Sequence, residues 1–238
     1  MKVEKIKIAH LYYDLMNLYG ESGNIKALEK GFNDQKMYTE VDCLTINDKI
    51  DFKKYDIYYM GCGSETNQLI VINDIIKYKD KIKKAIEDGK YFIFTGNSYE
   101  LLGKHIEKVT GEKIETLNIF DFYSKSVDKR IIGEEIMETK LFKEPVIGFQ
   151  NRQCVLNNKD NHLFEIINGH ADNYKSHYEG IHYKNLFATY NLGPILIRNP
   201  IFKDYIIKSV LEEKDILFES ISSIDEKAYN EYVKNFIS

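Results

Sequence analysis

The clearest chemical pattern in this chain is a short turn of small residues after an apolar segment. The stretch YFIF-TGNSYELLG, at 91–103, predicts a strand, a tight turn at Gly96 and a helix. A residue at such a turn is exposed at the strand end, beside helix amides that can stabilise an anion. This is the geometry of a nucleophile elbow. A plain strand-to-helix connection has the same pattern, so the segment alone leaves both interpretations open.

A second loop of small residues is predicted to lie beside this turn. The sequence Gly61-Cys62-Gly63 follows the apolar strand 55–60, and the turn at Gly96 follows the next strand along the chain. Because the carboxyl ends of neighbouring parallel strands meet at one edge of a sheet, the two loops should lie close together. They define the predicted site.

The first half of the chain alternates predicted strands and helices. The strands are 5–11, 39–45, 55–60 and 91–94. The helices are 25–32, ending near Gly31, then 67–88 as two helices capped by Gly89, and 99–104. This alternation predicts an α/β fold with a mostly parallel sheet and helices on both faces.

The second half is predicted to contain shorter strands and two closing helices. The strands are 130–137, 146–149, 162–167 and 186–190, and the helices are 202–213 and 224–236. We find no internal repeat and no low-complexity linker. We therefore predict a single domain spanning 1–238.

Composition excludes several classes of protein. With 33 basic and 37 acidic residues among 238, the net charge of −4 argues against a nucleic-acid binder. No apolar run approaches a membrane span, and the N-terminus lacks the apolar core of a signal peptide. The three cysteines, Cys43, Cys62 and Cys154, are typical of reduced thiols in the cytoplasm. Without a CxxC or HExxH pattern, we predict no metal and no cofactor.

Several blocks of the sequence resemble a known family. They are LYYDLMNLYGESGNI at 11–25, MGCGSETNQ at 60–68, GNSYELLG at 96–103, IFDFY and the later Lys-Arg within 117–130, GFQN at 148–151, and EGIHYKNLFATYNLGPILIRNP at 179–200. The chain resembles the GatD glutaminase subunits of lipid II isoglutaminyl synthase and, more broadly, the cobyric-acid-synthase-type class I glutamine amidotransferases. The resemblance implies a flavodoxin-like, three-layer sandwich.

The resemblance also implies a reaction and the residues that it needs. A cysteine thiolate attacks the glutamine carboxamide and forms a thioester, and a histidine activates the cysteine and protonates the leaving ammonia. The family's elbow pattern C-G-G-Y-Q-x-L-G falls on 96–103, which places its cysteine at Gly96. The pattern T-Y-x-H-G-P falls on 189–194, which places its histidine at Leu192. Both members of the catalytic pair are therefore replaced.

Two side chains are candidates for a substitute nucleophile. Ser98 lies in G-N-S-Y-E, which lacks the last glycine of G-x-S-x-G, and a serine at a helix start is more often a cap. Cys62 replaces a glycine in the loop that, in the family, helps to form the oxyanion hole. No histidine falls on the family's catalytic position, and His182 is predicted to be structural. The six histidines are His10, His105, His162, His170, His177 and His182.

Substrate binding can survive the loss of the catalytic pair. Arg130 stands where the family has an arginine that holds the glutamine carboxylate, and a guanidinium suits bidentate recognition of that group. A surface arginine is the alternative interpretation. The backbone N–H groups of Gly61 and Gly63 could bind an anion, and Asn97 belongs to the same predicted ligand site.

Three hypotheses follow for the function. The favoured one is a GatD-like protein of peptidoglycan biosynthesis that lacks glutaminase activity and forms a heterodimer with a Mur-ligase-like, MurT-type subunit. The second is an active amidotransferase that supplies ammonia for lipid II amidation from relocated residues, Ser98 or Cys62. The third is a sensor that holds glutamine or a related ligand through Arg130.

Overall fold

The computed structural model describes residues 5–221 and 224–237, which contain one sheet of eleven strands. The strands are β1 (Lys5–Leu11), β2 (Tyr38–Leu44), β3 (Ile57–Met60), β4 (Tyr91–Thr95), β5 (His105–Glu107), β6 (Lys113–Glu115), β7 (Ser124–Glu138), β8 (Val146–Leu156), β9 (His162–Asn168), β10 (Tyr178–Tyr183) and β11 (Leu186–Thr189). The helices are α1 (Ser22–Asp34), α2 (Glu65–Ile75), α3 (Lys79–Glu87), α4 (Ile195–Arg198), α5 (Pro200–Glu212) and α6 (Ile224–Ile237). No described helix has the length and apolar character that crossing a membrane requires.

The parallel part of the sheet has the strand order β2-β1-β3-β4-β11. Strands β3 and β4 are buried at every position, as expected for parallel strands covered on both faces. Strand β11 pairs with β4, with Thr189 opposite Thr95. This pairing brings the segment after β11 next to the turn that follows β4.

Helices cover both faces of this parallel part. One apolar cluster joins α2 and α3 to β4, with Val71, Ile82 and Phe92 among its members. A second cluster joins α1 and α5 to the opposite face, and includes Leu28 and Ile206. The arrangement of helix, sheet and helix confirms the predicted α/β class with a parallel central sheet.

The rest of the sheet departs more from the sequence prediction. Strands β10, β9, β7 and β8 continue it with antiparallel pairs, and β5 pairs with both β6 and β7. The sequence prediction missed β5, β6 and β10. Strands β5 and β6 have three residues each, too few for a period-two pattern to be recognised. Strand β10 contains Gly180 at a φ of +77°, a residue type that weakens a strand prediction.

Two helix boundaries also need correction. Helix α1 spans Ser22–Asp34, so it begins before Ile25 and continues past Gly31. Gly31 serves packing here and does not end the helix, since a Cβ at this position would lie 2.2 Å from Ile207 Cδ1. The helix predicted at 99–104 is a 3₁₀ helix over Gly96–Leu102. The predicted cap at Gly89 is confirmed by its φ of +84°.

Candidate functional site

The turn after β4 has the geometry of an elbow without a nucleophile. Gly96 follows the strand directly, has a φ of +63° and begins the 3₁₀ helix. This left-handed conformation turns the chain sharply at the strand end. The predicted strand, turn and helix are therefore present, and the apex residue carries no side chain.

The space in front of the apex is filled by two neighbouring side chains. A Cβ placed on Gly96 would lie 2.5 Å from Cys62 Cβ, 2.7 Å from Cys62 Sγ and 2.7 Å from Leu192 Cδ2. Cys62 comes from the loop after β3, and Leu192 comes from the segment after β11. The positions of the family's catalytic cysteine and histidine therefore meet, together with Cys62. They are occupied here by Gly96 and Leu192, neither of which can act as a nucleophile or a base.

The Cys62 thiol lies in an environment that keeps it protonated. The residue is only 4% exposed, and burial raises the pKa of its thiol to about 12. The carboxyl groups of Glu21, Glu100 and Glu65 raise this pKa further. The thiol donates a hydrogen bond to the carbonyl of Gly63 at 3.6 Å. A thiol becomes a strong nucleophile beside a cation or an imidazole, and its surroundings here are acidic.

The Ser98 hydroxyl faces the backbone. The residue is fully buried, and its Oγ donates to the carbonyl of Met60 at 3.0 Å or to that of Thr95 at 2.8 Å. Its side chain does not cap the 3₁₀ helix, whose N-cap residue is Thr95. Ser98 is also absent from the wall of the cavity beside the elbow.

Asn97 joins the two loops of the site. The N–H of Gly63 donates to Asn97 Oδ1 at 2.9 Å, and Asn97 Nδ2 donates to the Gly63 carbonyl at 2.9 Å. The Gly63 N–H expected to bind a ligand is therefore already paired within the protein. Gly61 serves packing, because a Cβ there would lie 2.6 Å from the carbonyl oxygen of Met16.

Arg130 lies at the wall of a cavity of about 580 Å³ beside the elbow. Cys62, Gly63, Gly96 and Asn97 line the same cavity. The structure therefore brings Arg130, an exposed residue, to the predicted loops.

The Arg130 guanidinium is paired with two side chains of the protein itself. Both of its terminal nitrogens lie 3.2–3.3 Å from Glu65 Oε1, and Nε donates to Asn151 Oδ1 at 2.6 Å. Its side chain remains 38% exposed. The carboxylate of Glu65 thus binds the guanidinium in the way that the carboxylate of a ligand would bind it.

Histidine does not contribute to this cavity. None of the described residues that line it is a histidine. His182 lies on β10, with its ring stacked on Phe187 at 4.8 Å, and burial lowers its pKa. His10 is buried on β1 against the ring of Tyr59, and burial lowers its pKa to about 4.

Two buried carboxyl groups at the site were not identified from the sequence. Glu100 lines the cavity, and stands where the elbow pattern has glutamine, which is the signal that could have revealed it. Glu21 lies beneath the elbow, where it accepts from Tyr59 Oη at 2.9 Å and from the hydroxyl of Thr95. Burial raises the pKa of Glu21 to about 7.

Comparison with known proteins agrees with this fold. Residues 7–200 match the CobB/CobQ-like glutamine amidotransferase domain. The chain is 33% identical over 226 residues to the GatD subunit of glutamine-hydrolysing lipid II isoglutaminyl synthase from Staphylococcus aureus, covering 95% of this chain and 92% of that protein. It is 31% identical over 213 residues to the GatD subunit from Streptococcus pneumoniae, covering 88% and 82% respectively.

A solved structure shares the fold at lower sequence similarity. The structure of PurLQS from Thermotoga maritima superposes with a TM-score of 0.56 at 17% identity, covering 88% of this chain and 99% of the matched chain. This likeness shows the fold, and the domain match over residues 7–200 with the two GatD relatives shows the family: the chain belongs to the CobB/CobQ-like glutamine amidotransferase domain family.

Proposed function

We propose that this chain is a GatD-like protein that lacks glutaminase activity and acts as a non-catalytic partner of a Mur-ligase-like, MurT-type subunit. The observation that carries the proposal is the filled elbow. Gly96 offers no nucleophile, and Cys62 and Leu192 occupy the space in front of it.

The loss of both catalytic groups removes the two chemical steps of glutamine hydrolysis. Thioester formation needs a thiolate at the apex, and release of ammonia needs a group that transfers a proton. A leucine side chain has no proton to transfer. Backbone donors that remain could polarise a carboxamide, but this supports little hydrolysis without the nucleophile and base.

The partner part of the proposal rests on the relatives. Both are described as subunits of lipid II isoglutaminyl synthase, and the chain aligns with most of their length. We therefore propose that the chain works in the cytoplasm as a single domain, residues 1–238, in a heterodimer that acts on lipid II. Co-purification with the Mur-ligase-like subunit tests the partner; separate elution of the two proteins at micromolar concentration would contradict it.

The activity part is tested by measuring ammonia release from L-glutamine with the partner present. We expect background rates from the parent chain. The matched variant combines Cys62→Gly, Gly96→Cys and Leu192→His, which restores the family residues and makes room for them. We expect this variant to gain activity, whereas Gly96→Cys with Leu192→His alone leaves the new cysteine in contact with Cys62.

A second candidate function is an amidotransferase that uses Cys62 as its nucleophile. It is supported by the position of Cys62 Sγ, 2.7 Å from where a Cβ on Gly96 would lie. It is disfavoured by the thiol pKa of about 12 and by the lack of a described histidine at the cavity. Covalent labelling by an electrophilic glutamine analogue that disappears in Cys62→Ala would support this candidate. A parallel Ser98→Ala variant tests the hydroxyl in the same way.

A further inference from the structure

The cavity beside the elbow is lined by charged groups of both signs, including Arg130, Glu65 and Glu100. Glu65 and Gln68 both line it and lie three residues apart on α2. Glu65 contacts the guanidinium of Arg130. Gln68 contacts the 3₁₀ helix that carries Glu100, where its Nε2 donates to the backbone carbonyl of Asn97 at 2.7 Å. The cation Arg130 and the buried acid Glu100 therefore line one cavity.

The Glu100 carboxyl has neutral hydrogen-bond donors only. The residue is 2% exposed, and its oxygens accept from Ser124 Oγ at 3.1 Å and from Tyr190 Oη at 3.2 Å. Among the described residues, none of the groups that contact this carboxyl is a cation. Burial raises the pKa of Glu100, because an ionised carboxylate without a positive partner is costly in the interior.

The guanidinium of Arg152, which also lines the cavity, is bound to groups other than Glu100. Its guanidinium lies over the ring of Tyr190, 4.3 Å from the centroid. Its N–H groups donate to the side chain of Gln150 and to the backbone carbonyls of Ala171, Asp172 and Cys154. The carboxyl group of Glu100 therefore has no cationic partner among these contacts, and a positively charged ligand in the cavity would supply one.

The lining of this cavity is largely apolar. It includes side chains from α2 and from the β5–β6 hairpin, namely Leu69, Ile106, Val109 and Ile114. Such a lining accommodates the methylene groups of a ligand.

We propose that this cavity binds an amino acid with a cationic side chain. Its α-carboxylate pairs with Arg130, its α-ammonium pairs with Glu65, its methylene chain lies on the apolar walls, and its side-chain ammonium reaches Glu100. Glutamine fits this site less well, because a neutral carboxamide leaves Glu100 without a cation. This inference rests on the proposed function, because it takes the cavity to bind an amino acid without hydrolysing it.

The test is calorimetric titration of the full chain with L-lysine, L-ornithine, L-glutamine and L-norleucine. Norleucine keeps the apolar chain and lacks the ammonium group. We expect lysine or ornithine to bind at least tenfold more tightly than norleucine and glutamine. Glu100→Gln keeps the shape of the side chain and removes its charge, so it should abolish this preference. Glu212→Gln, on the exposed surface of α5, is the control and should bind as the parent does.

Each outcome bears on the proposal. Equal affinity for lysine and norleucine, no binding of either basic amino acid at millimolar concentration, or an unchanged preference in Glu100→Gln would overturn it. If Glu100→Gln does not fold, the affinities of the parent chain for lysine and norleucine still test the proposal, since equal affinities would overturn it. Hydrolysis of glutamine by the parent would refute the proposed function. Failure of lysine binding with no hydrolysis would refute only this inference.

Discussion

At the scale of single residues, three positions meet at the apex of the elbow: Gly96, Cys62 and Leu192. Gly96 lacks the side chain of a nucleophile, and Cys62 and Leu192 fill the space that such a side chain needs. Loss of a nucleophile alone would leave a vacancy in the core. The filled space supports the proposal that these positions serve packing rather than proton transfer.

This contact predicts a coupling between Cys62 and Gly96. Gly96→Cys alone should lower the free energy of unfolding by about 1–3 kcal/mol, because the new Cβ would overlap the Cys62 side chain. Adding Cys62→Gly should recover much of that loss, so the two effects should not be additive. Urea unfolding of the parent, both single variants and the double variant measures the coupling. Additive effects would show that the two side chains do not compete for the same space.

At the scale of elements, Asn97 holds together the loops that follow β3 and β4. Its side chain makes one hydrogen bond to the N–H of Gly63 and one to its carbonyl. Asn97→Ala should therefore lower the free energy of unfolding by about 1–3 kcal/mol. Asn97→Asp keeps the acceptor and loses the donor, so we expect a smaller loss. An alanine variant as stable as the parent would mean that these two bonds are replaced by water without loss.

The elements also show which features are accessible from sequence. The parallel strands β1 to β4 could be predicted because each is an apolar or alternating run bounded by polar turns. The meeting of Gly96 with Leu192 followed from the family patterns. The direction of the Cys62 side chain could not be predicted, since a loop residue can point to either side. Glu100 was overlooked because a single glutamate within a helix pattern is ordinary until its burial is known.

At the scale of the whole molecule, several buried acids keep their proton to a higher pH than free carboxyl groups do. Burial raises the pKa of Glu21 and of Glu179 to about 7, and that of Glu135 to about 8. Glu179 lies near Asp172, whose pKa burial also raises. The ordinary glutamate pKa is 4.5. The folded chain therefore holds protons that the unfolded chain has already lost.

This difference predicts that stability falls as the pH rises from 6.5 to 8. In that window, the raised carboxyl groups of the folded state ionise, whereas unfolded carboxyls are already ionised. The histidines change the stability at lower pH. Burial lowers the pKa of His10 from 6.5 to about 4, so this residue makes the free energy of unfolding rise with pH up to about 6.5 and leaves it unchanged at higher pH. Calorimetry should show a falling Tm across the window and a shallower fall in Glu21→Gln. A flat or rising Tm would contradict the burial of neutral acids.

The central claim is that this glutamine amidotransferase-like domain has lost glutaminase chemistry. The most direct measurement is ammonia release from L-glutamine by the purified chain with its Mur-ligase-like partner. We predict background rates for the parent chain and measurable release after Cys62→Gly, Gly96→Cys and Leu192→His are combined. Turnover by the unmodified chain on the order of 1 s⁻¹ or faster, the range of ordinary enzymes, would contradict the account.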